Sequence, residues 1–333
     1  MDNILDDRIH IGISACQFGG RVRYNGKGLD ATRFLGRERA DFIWHPLCPE
    51  VMSGMGVPRN PVSLRSGTGD DFWAGKADVK SRDGETMNEW LRLGCEACLS
   101  SLRRSGVMVF VFMEGSPSCG VYRTSLKNKR LGHPPGIFGS LLLREGFFVI
   151  PSPDLQSPIR WWDWRRRMFA FVWLSGKAFG APREIVECWH ILKFLCQELE
   201  RSEADDIGRT IADLKALPAS EYPALKRRIL DLLRMPSDIR NIKQSLWKHY
   251  AFLRKKYGLE SDLVSMPSDE RGVTRVASEL LSLEILTSRE GRLFGAVPVH
   301  YRRGDETATT DEADLANEAD RTDDDSVGER GGT

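Results

Sequence analysis

The stretch Val107-Met108-Val109-Phe110-Val111-Phe112-Met113-Glu114-Gly115-Ser116-Pro117-Ser118-Cys119-Gly120 decides the fold. Seven consecutive apolar residues predict a strand buried on both faces, the pattern of a parallel sheet. The turn that follows it ends in a cysteine. Upstream, Met87 to Arg104 reads as a helix, because Trp90, Leu91, Gly94, Cys98 and Leu102 recur at helical spacing and Gly106 can end it. Earlier still, Ile9 to Ile13 and Asp41 to Trp44 read as strands, with a short helix from Ala31 to Arg39 between them. Downstream, Leu141 to Arg144 reads as helix and Phe147 to Ile150 as a last strand. Alternation of this kind predicts an α/β sheet. Pro58 to Gly84 is polar, glycine-rich and without period, and is expected to be a lid loop.

Two more cysteines follow strand-like runs. Cys16 lies in Ser14-Ala15-Cys16-Gln17-Phe18-Gly19-Gly20 and Cys48 in Leu47-Cys48-Pro49-Glu50. Parallel strands end at a common edge, and open α/β sheets bind ligands outside the carboxyl ends of their strands. Cys16, Cys48 and Cys119 are therefore expected to converge. Three thiolates leave one position of a four-coordinate soft-metal site open to substrate. A zinc site and three buried thiols are the other readings of the same residues.

The flanking residues are more specific. Ser14-Ala15-Cys16 with Val22-Arg23-Tyr24-Asn25-Gly26, Cys48-Pro49-Glu50 with Gly54 and Pro58-Arg59, Ala77-Asp78-Val79, Ser116-Pro117-Ser118-Cys119-Gly120 and the stretch Gly136 to Gly146 come in one order along residues 9–150. That region resembles the thiouracil desulfidase family. The resemblance implies a Rossmann-like parallel sheet and a [4Fe–4S] cluster on Cys16, Cys48 and Cys119. It also implies a thiolated pyrimidine as substrate, its thiocarbonyl sulfur bound by the open iron and replaced by water without net redox change. The chain departs from the family pattern at Asn25, usually aspartate, at Gln17-Phe18, usually a leucine pair, and near Met113, where a lysine is usual. Ser53-Gly54-Met55-Gly56-Val57 is a loose version of the family's run. These departures keep a second reading open, a non-catalytic RNA-binding or regulatory protein on a degenerate desulfidase scaffold.

Two residues beside the cysteines have a chemical and a plainer reading. Glu50 could be a general base next to a cluster and a water, or simply a favourable acid at a helix start behind Pro49. Ser118 could donate a hydrogen bond to substrate or relay a proton, or bond its own turn. The expected catalytic pair is Ser118 and Glu50. Ser14 and Tyr24 read as structural, His45 as a hydrogen-bonded strand-end histidine. Cys95 and Cys98 form a C-x-x-C in mid-helix, away from the helix N-terminus where redox pairs sit, and read as core. Cys188 and Cys196 read as core too.

Pro151-Ser152-Pro153 breaks the alternation. Helices are then expected over about 158–176, 183–202, 205–216, 220–234, 236–257 and 268–288, separated by proline turns. The expected organisation is a desulfidase-like domain over 1–152, a smaller all-α accessory domain over 153–300 and a disordered acidic tail over 301–333. From Gly304 to Thr333 eleven acidic residues face two arginines, a net −9, which leaves +10 on the other 303 residues of a chain whose total is +1. So acidic a segment with so few large apolar side chains cannot offset its ordering entropy. The basic body allows an anionic partner. Arg160-Trp161-Trp162-Asp163-Trp164-Arg165-Arg166-Arg167 interleaves aromatics and cations, so tRNA binding through the helical domain, helped by Lys127, Lys129 and Arg130, is one expectation. The other is a helix packing its tryptophans on the sheet while the arginines are solvated. No apolar run nears the roughly 20 residues that span a bilayer. The start of the chain lacks a signal-peptide pattern. The expected setting is cytoplasmic, where thiols stay reduced.

Overall fold

A computed structural model of the chain describes residues 3–125, 131–257, 265–267, 269–289 and 297–302. Its centre is a four-stranded, all-parallel sheet of β2 (Ile9–Ser14), β3 (Phe42–Leu47), β6 (Val109–Phe112) and β7 (Phe148–Pro151), in the order β3-β2-β6-β7. The apolar run of residues 107–113 thus supplies a central strand, as its two-sided hydrophobicity requires. The chain goes from β2 outward to β3 and then crosses to β6 on the other side of β2. The strand order therefore reverses between β2 and β6, and the crevice at their carboxyl ends is where such a sheet places a ligand.

One face of the sheet, carrying Phe110, Phe112 and Val149, packs on α3 (Asn88–Arg104) and α4 (Ile137–Arg144). Gly12 makes that face possible, since a Cβ there would stand 2.4 Å from the Phe110 ring. Pro58 to Gly84 is not a bare loop. It holds an antiparallel pair, β4 (Val62–Arg65) and β5 (Asp78–Ser81), with α2 (Gly69–Trp73) between them. A capping box of Thr68 and Asp71 starts α2, a local signal that the lack of period concealed.

The other face carries Ile9, Ile11, Ile13, Val109, Val111, Phe148 and Ile150 and shares one continuous core with the carboxyl-terminal helices. These are α5 (Pro158–Ser175), α6 (Pro182–Leu199), α7 (Arg201–Ala212), α8 (Tyr222–Arg234), α9 (Ile239–Tyr257) and α10 (Glu270–Arg289). The helices of the expected all-α accessory region are built onto this face of the sheet. The turn at Pro151-Ser152-Pro153 breaks the pattern of the sequence but not the core. The reason is α5, which buries fourteen of its eighteen residues. A helix apolar on every side must be enclosed on every side, and the sheet is one of its walls.

The arginines of α5 correct both expectations for that helix. Arg165, Arg166 and Arg167 are 6 %, 2 % and 0 % exposed, so they form neither a solvated stripe nor an RNA surface. Asp163 accepts from Arg166 at 2.9 Å and from Arg167 at 3.0 Å, and Glu198 of α6 accepts from Arg166 at 2.8 Å. Arg165 pairs with Glu38 at 2.6 Å and lies 3.6 Å from Glu284 of α10. Each tryptophan of the motif also donates its indole N–H to a carboxylate: Trp161 to Glu38, Trp162 to Glu284 and Trp164 to Asp154. Buried cations need such partners: Asp163 lies one turn away on the same helix, and Glu38, Glu198 and Glu284 come from residues far away in sequence.

A short parallel pair, β1 (Ile4–Leu5) with β8 (His300–Tyr301), places Tyr301 in a strand, so the acidic tail begins after it. Residues 303–333, like Lys127, Lys129 and Arg130, lie outside the described residues. Among the described residues no helix is long and apolar enough to cross a membrane.

Candidate active site

Each of the three cysteines leaves its strand by a different device. After β2, Cys16 sits in a 3-10 turn, where the Ala15 carbonyl accepts from the Phe18 and Gly20 amides at 3.1 and 2.9 Å. After β3, Cys48 is the extended residue before a one-turn helix, α1 (Pro49–Met52), with Pro49 at its first position. After β6, Ser116 Oγ accepts from the amides of Ser118 and Cys119 at 3.3 and 3.1 Å and tightens the Ser-Pro-Ser-Cys turn. The carbonyls of Pro117 and Ser118 in turn accept from Ile137 and Phe138, two amides at the start of α4 that have no partner within their helix. Gly120 is required there, because a Cβ would meet the Arg123 carbonyl at 2.0 Å.

The three cysteines lie within electrostatic range of one another. Cys16 and Cys119 flank the crevice between β2 and β6, and Cys48 stands at the end of the neighbouring strand. Ser14 Oγ accepts from the Met113 amide at 3.1 Å and so ties the ends of β2 and β6 together. It also hydrogen-bonds the Cys119 thiol, which places this structural serine beside one of the three cysteines.

The three thiols sense one another. Burial pushes Cys16 up to about 11, with Cys48 adding to the rise and a hydrogen bond from Gln17 opposing it. Burial raises Cys48 as well. Burial, then the proximity of Cys48 and Cys16, raises Cys119 well above the ordinary thiol value. Three thiols so placed, two of them buried and Cys48 half-buried, resist ionising together unless cationic charge is placed among them. Among the described residues no three His, Cys, Asp or Glu side chains are arranged to hold a single metal ion. A cluster asks for a different arrangement, one thiolate on each of three irons, and three soft donors at a ligand-binding edge, two buried and one half-buried, fit that demand.

Glu50 and Ser118 meet. Ser118 Oγ donates to Glu50 Oε1 at 2.7 Å, although 68 residues separate them. Glu50 Oε2 accepts from Arg59 Nε at 2.8 Å and also from Arg59 Nη2. Arg59 is held in turn by the carbonyls of Val22 and Gly56 at 2.9 and 3.3 Å. Glu50 is thus both the acid at the start of α1 and a member of a hydrogen-bonded relay. Its carboxylate is 13 % exposed, whereas Ser118 is fully buried. Sequence reasoning placed Arg59 in a motif without giving it a role. Only the fold brings its guanidinium onto Glu50.

The remaining candidates are structural. Cys95 and Cys98 are fully buried in α3, behind α1. His45 shares a hydrogen bond with His10 at 2.9 Å and stacks on it, and burial lowers its pKa. Cys188 and Cys196 lie in the core beside α5. Tyr24, 41 % exposed, lines an open cleft of about 760 Å³ together with Arg23, Arg65 and the Cys119 loop residues Gly115 and Pro117.

Comparison with known proteins bears on the same half of the chain. The family model for 2-thiouracil desulfurase matches residues 11–154. The uncharacterized protein YbbK of Bacillus subtilis (strain 168) is 29 % identical over 150 residues, which is 44 % of this chain and 97 % of that protein. A solved structure described as the [4Fe-4S]-dependent thiouracil desulfidase TudS is 27 % identical, covers 44 % of this chain and 93 % of its own, and superposes with a TM-score of 0.38. Residues 11–154, which carry the three cysteines together with Glu50, Arg59 and Ser118, are thus the part of the chain that matches the 2-thiouracil desulfurase family.

Proposed function

We propose that the protein is a desulfidase that exchanges the thiocarbonyl sulfur of a thiolated uracil for oxygen. The observation that carries this reading is the meeting of two buried cysteines, Cys16 and Cys119, and the half-buried Cys48 with the Ser118–Glu50–Arg59 relay at the carboxyl edge of the sheet. Cys16, Cys48 and Cys119 would hold a [4Fe–4S] cluster, which when bound supplies an iron without a protein ligand to polarise the C–S bond. The net change is C=S plus water to C=O plus hydrogen sulfide, with no electron gained or lost.

The chain's own residues handle the proton. Arg59 keeps the Glu50 carboxylate oriented by donating two N–H groups to Oε2. That leaves Oε1 to Ser118 and to a water on its partly open side. Glu50 takes a proton from the attacking water at Oε1, and the Ser118 hydroxyl, already on that oxygen, carries a proton toward the departing sulfur. The buried turn around Ser118 keeps bulk water away from this step.

The substrate is a small thiolated uracil, as free base or nucleoside. The tRNA option drew on the α5 cations, which the fold buries, and on Lys127, Lys129 and Arg130, which lie outside the described residues. The test is anaerobic purification with iron and sulfide quantification, then sulfide release from 2-thiouracil, 4-thiouridine and thiolated tRNA. The expected result is about four irons per chain and release from a small substrate. Cys119→Ala should lose both the iron and the release. Release that survives in Cys119→Ala would overturn the assignment.

A further inference from the structure

The Gln17 side chain is buried, 4 % exposed, in the turn that carries Cys16. A buried amide costs free energy unless its groups are hydrogen-bonded, and this one is satisfied at both ends. Its Nε2 lies 3.8 Å from Cys16 Sγ, within range of an N–H···S bond. Its Oε1 accepts from Ser152 Oγ at 3.0 Å. Ser152 is 1 % exposed and opens the turn through which the chain leaves β7 for α5. A sulfur ligand offers only acceptor capacity, so the amide must turn its NH₂ group toward Cys16. The Ser152 hydroxyl then donates to the amide oxygen and fixes that orientation.

We propose that Gln17 is a positioning residue that tunes the Cys16 sulfur through this hydrogen bond, and that Ser152 aims it. The proposal rests on the cluster reading above. A hydrogen bond to a cluster thiolate draws electron density from the sulfur and raises the cluster's reduction potential. The same withdrawal favours an iron that accepts electron density from a substrate sulfur. The carboxyl-terminal helices thereby gain a role at the site that needs no RNA, because the residue that sets the amide belongs to the segment leading into them.

The experiment uses the full chain with its cluster reconstituted anaerobically, in wild type, Gln17→Leu, Ser152→Ala and the double variant. Iron per chain and the midpoint potential of the cluster are measured for each. Wild-type iron content is expected throughout. Gln17→Leu should move the midpoint to a more negative value, Ser152→Ala should move it the same way by less, and the double variant should go no further than Gln17→Leu, since both act through one amide. A midpoint in Gln17→Leu equal to wild type, or shifts that add in the double variant, would overturn the proposal. If Gln17→Leu does not fold or load, Ser152→Ala decides alone, and an unchanged midpoint there overturns it. Wild-type protein that takes up no iron overturns the cluster reading itself, and the proposal with it, before any variants are compared.

Discussion

Replacing Glu50 by glutamine tests the proton relay at its centre. The substitution keeps the shape of the side chain and removes its charge. In the wild-type protein Oε2 takes two N–H groups from Arg59 and Oε1 takes the Ser118 hydroxyl at 2.7 Å. A glutamine can turn its single oxygen toward Arg59, but its NH₂ then faces Ser118 and the hydroxyl must reverse to accept. If the oxygen stays on Ser118, the NH₂ confronts the guanidinium donors instead. Either way no carboxylate remains to take a proton from water. Losing a general base costs about 10²–10⁴ in rate, or about 2.7–5.4 kcal/mol at 1.36 kcal/mol per decade. Charge-assisted hydrogen bonds give way to neutral ones, which costs on the order of 1–2 kcal/mol of stability, an amount a domain of this size tolerates. The assay is single-turnover sulfide release from 2-thiouracil by anaerobically reconstituted protein, at matched iron content. Glu50→Gln with full iron and a rate within about threefold of wild type, ~0.7 kcal/mol, would refute the assignment of Glu50 as the base.

Asp163→Ala should cost about 3–5 kcal/mol in denaturant unfolding, because among the described residues Arg167 then keeps the neutral acceptors Leu233 O and Ser237 Oγ in a fully buried position. Replacing Asp163 by Leu and Arg167 by Met together should recover most of that loss. Glu198 gives a signed pH effect. Burial alone would raise its pKa, but the hydrogen bond from His249 and the Arg166 guanidinium win and hold it well below the ordinary 4.5. A depressed acid stabilises the fold above its unfolded value, and that stability is lost as the pH falls below about 4.5. The acid limb of melting temperature against pH should therefore flatten in Glu198→Gln. Cys95→Ala and Cys98→Ala should each cost on the order of 1 kcal/mol as small core cavities and leave the iron content unchanged. Loss of iron from either would place α3 among the cluster's supports.

Much of the sheet was legible because its signals are local. The apolar run of residues 107–113 can be satisfied only by burial on both faces, and the 3.6-residue recurrence from Trp90 to Leu102 marks α3 without reference to anything else. The segment Pro58 to Gly84 hid a hairpin because β4 and β5 pair with each other across α2 and show little periodicity of their own. For the site, the residue types at the strand ends were legible, whereas their contacts were not. Ser118 and Glu50 are separate motifs in the sequence, and the 2.7 Å bond between them exists only once β3 and β6 flank β2. Gln17 looked like a departure from a pattern until Ser152, 135 residues away, gave its amide a partner.

The sequence by itself determined that three cysteines leave three parallel strands at one edge. Strand direction and the position of each turn are properties of short stretches, and the edge follows from them. It also determined that α5 is rich in cations and aromatic rings. Whether those cations meet solvent, RNA or acids was decided by the tertiary structure alone. Charge shows only that a partner is needed; Asp163 is within one helical turn of Arg166 and Arg167, but Glu38, Glu198 and Glu284 become partners through packing that no local pattern encodes.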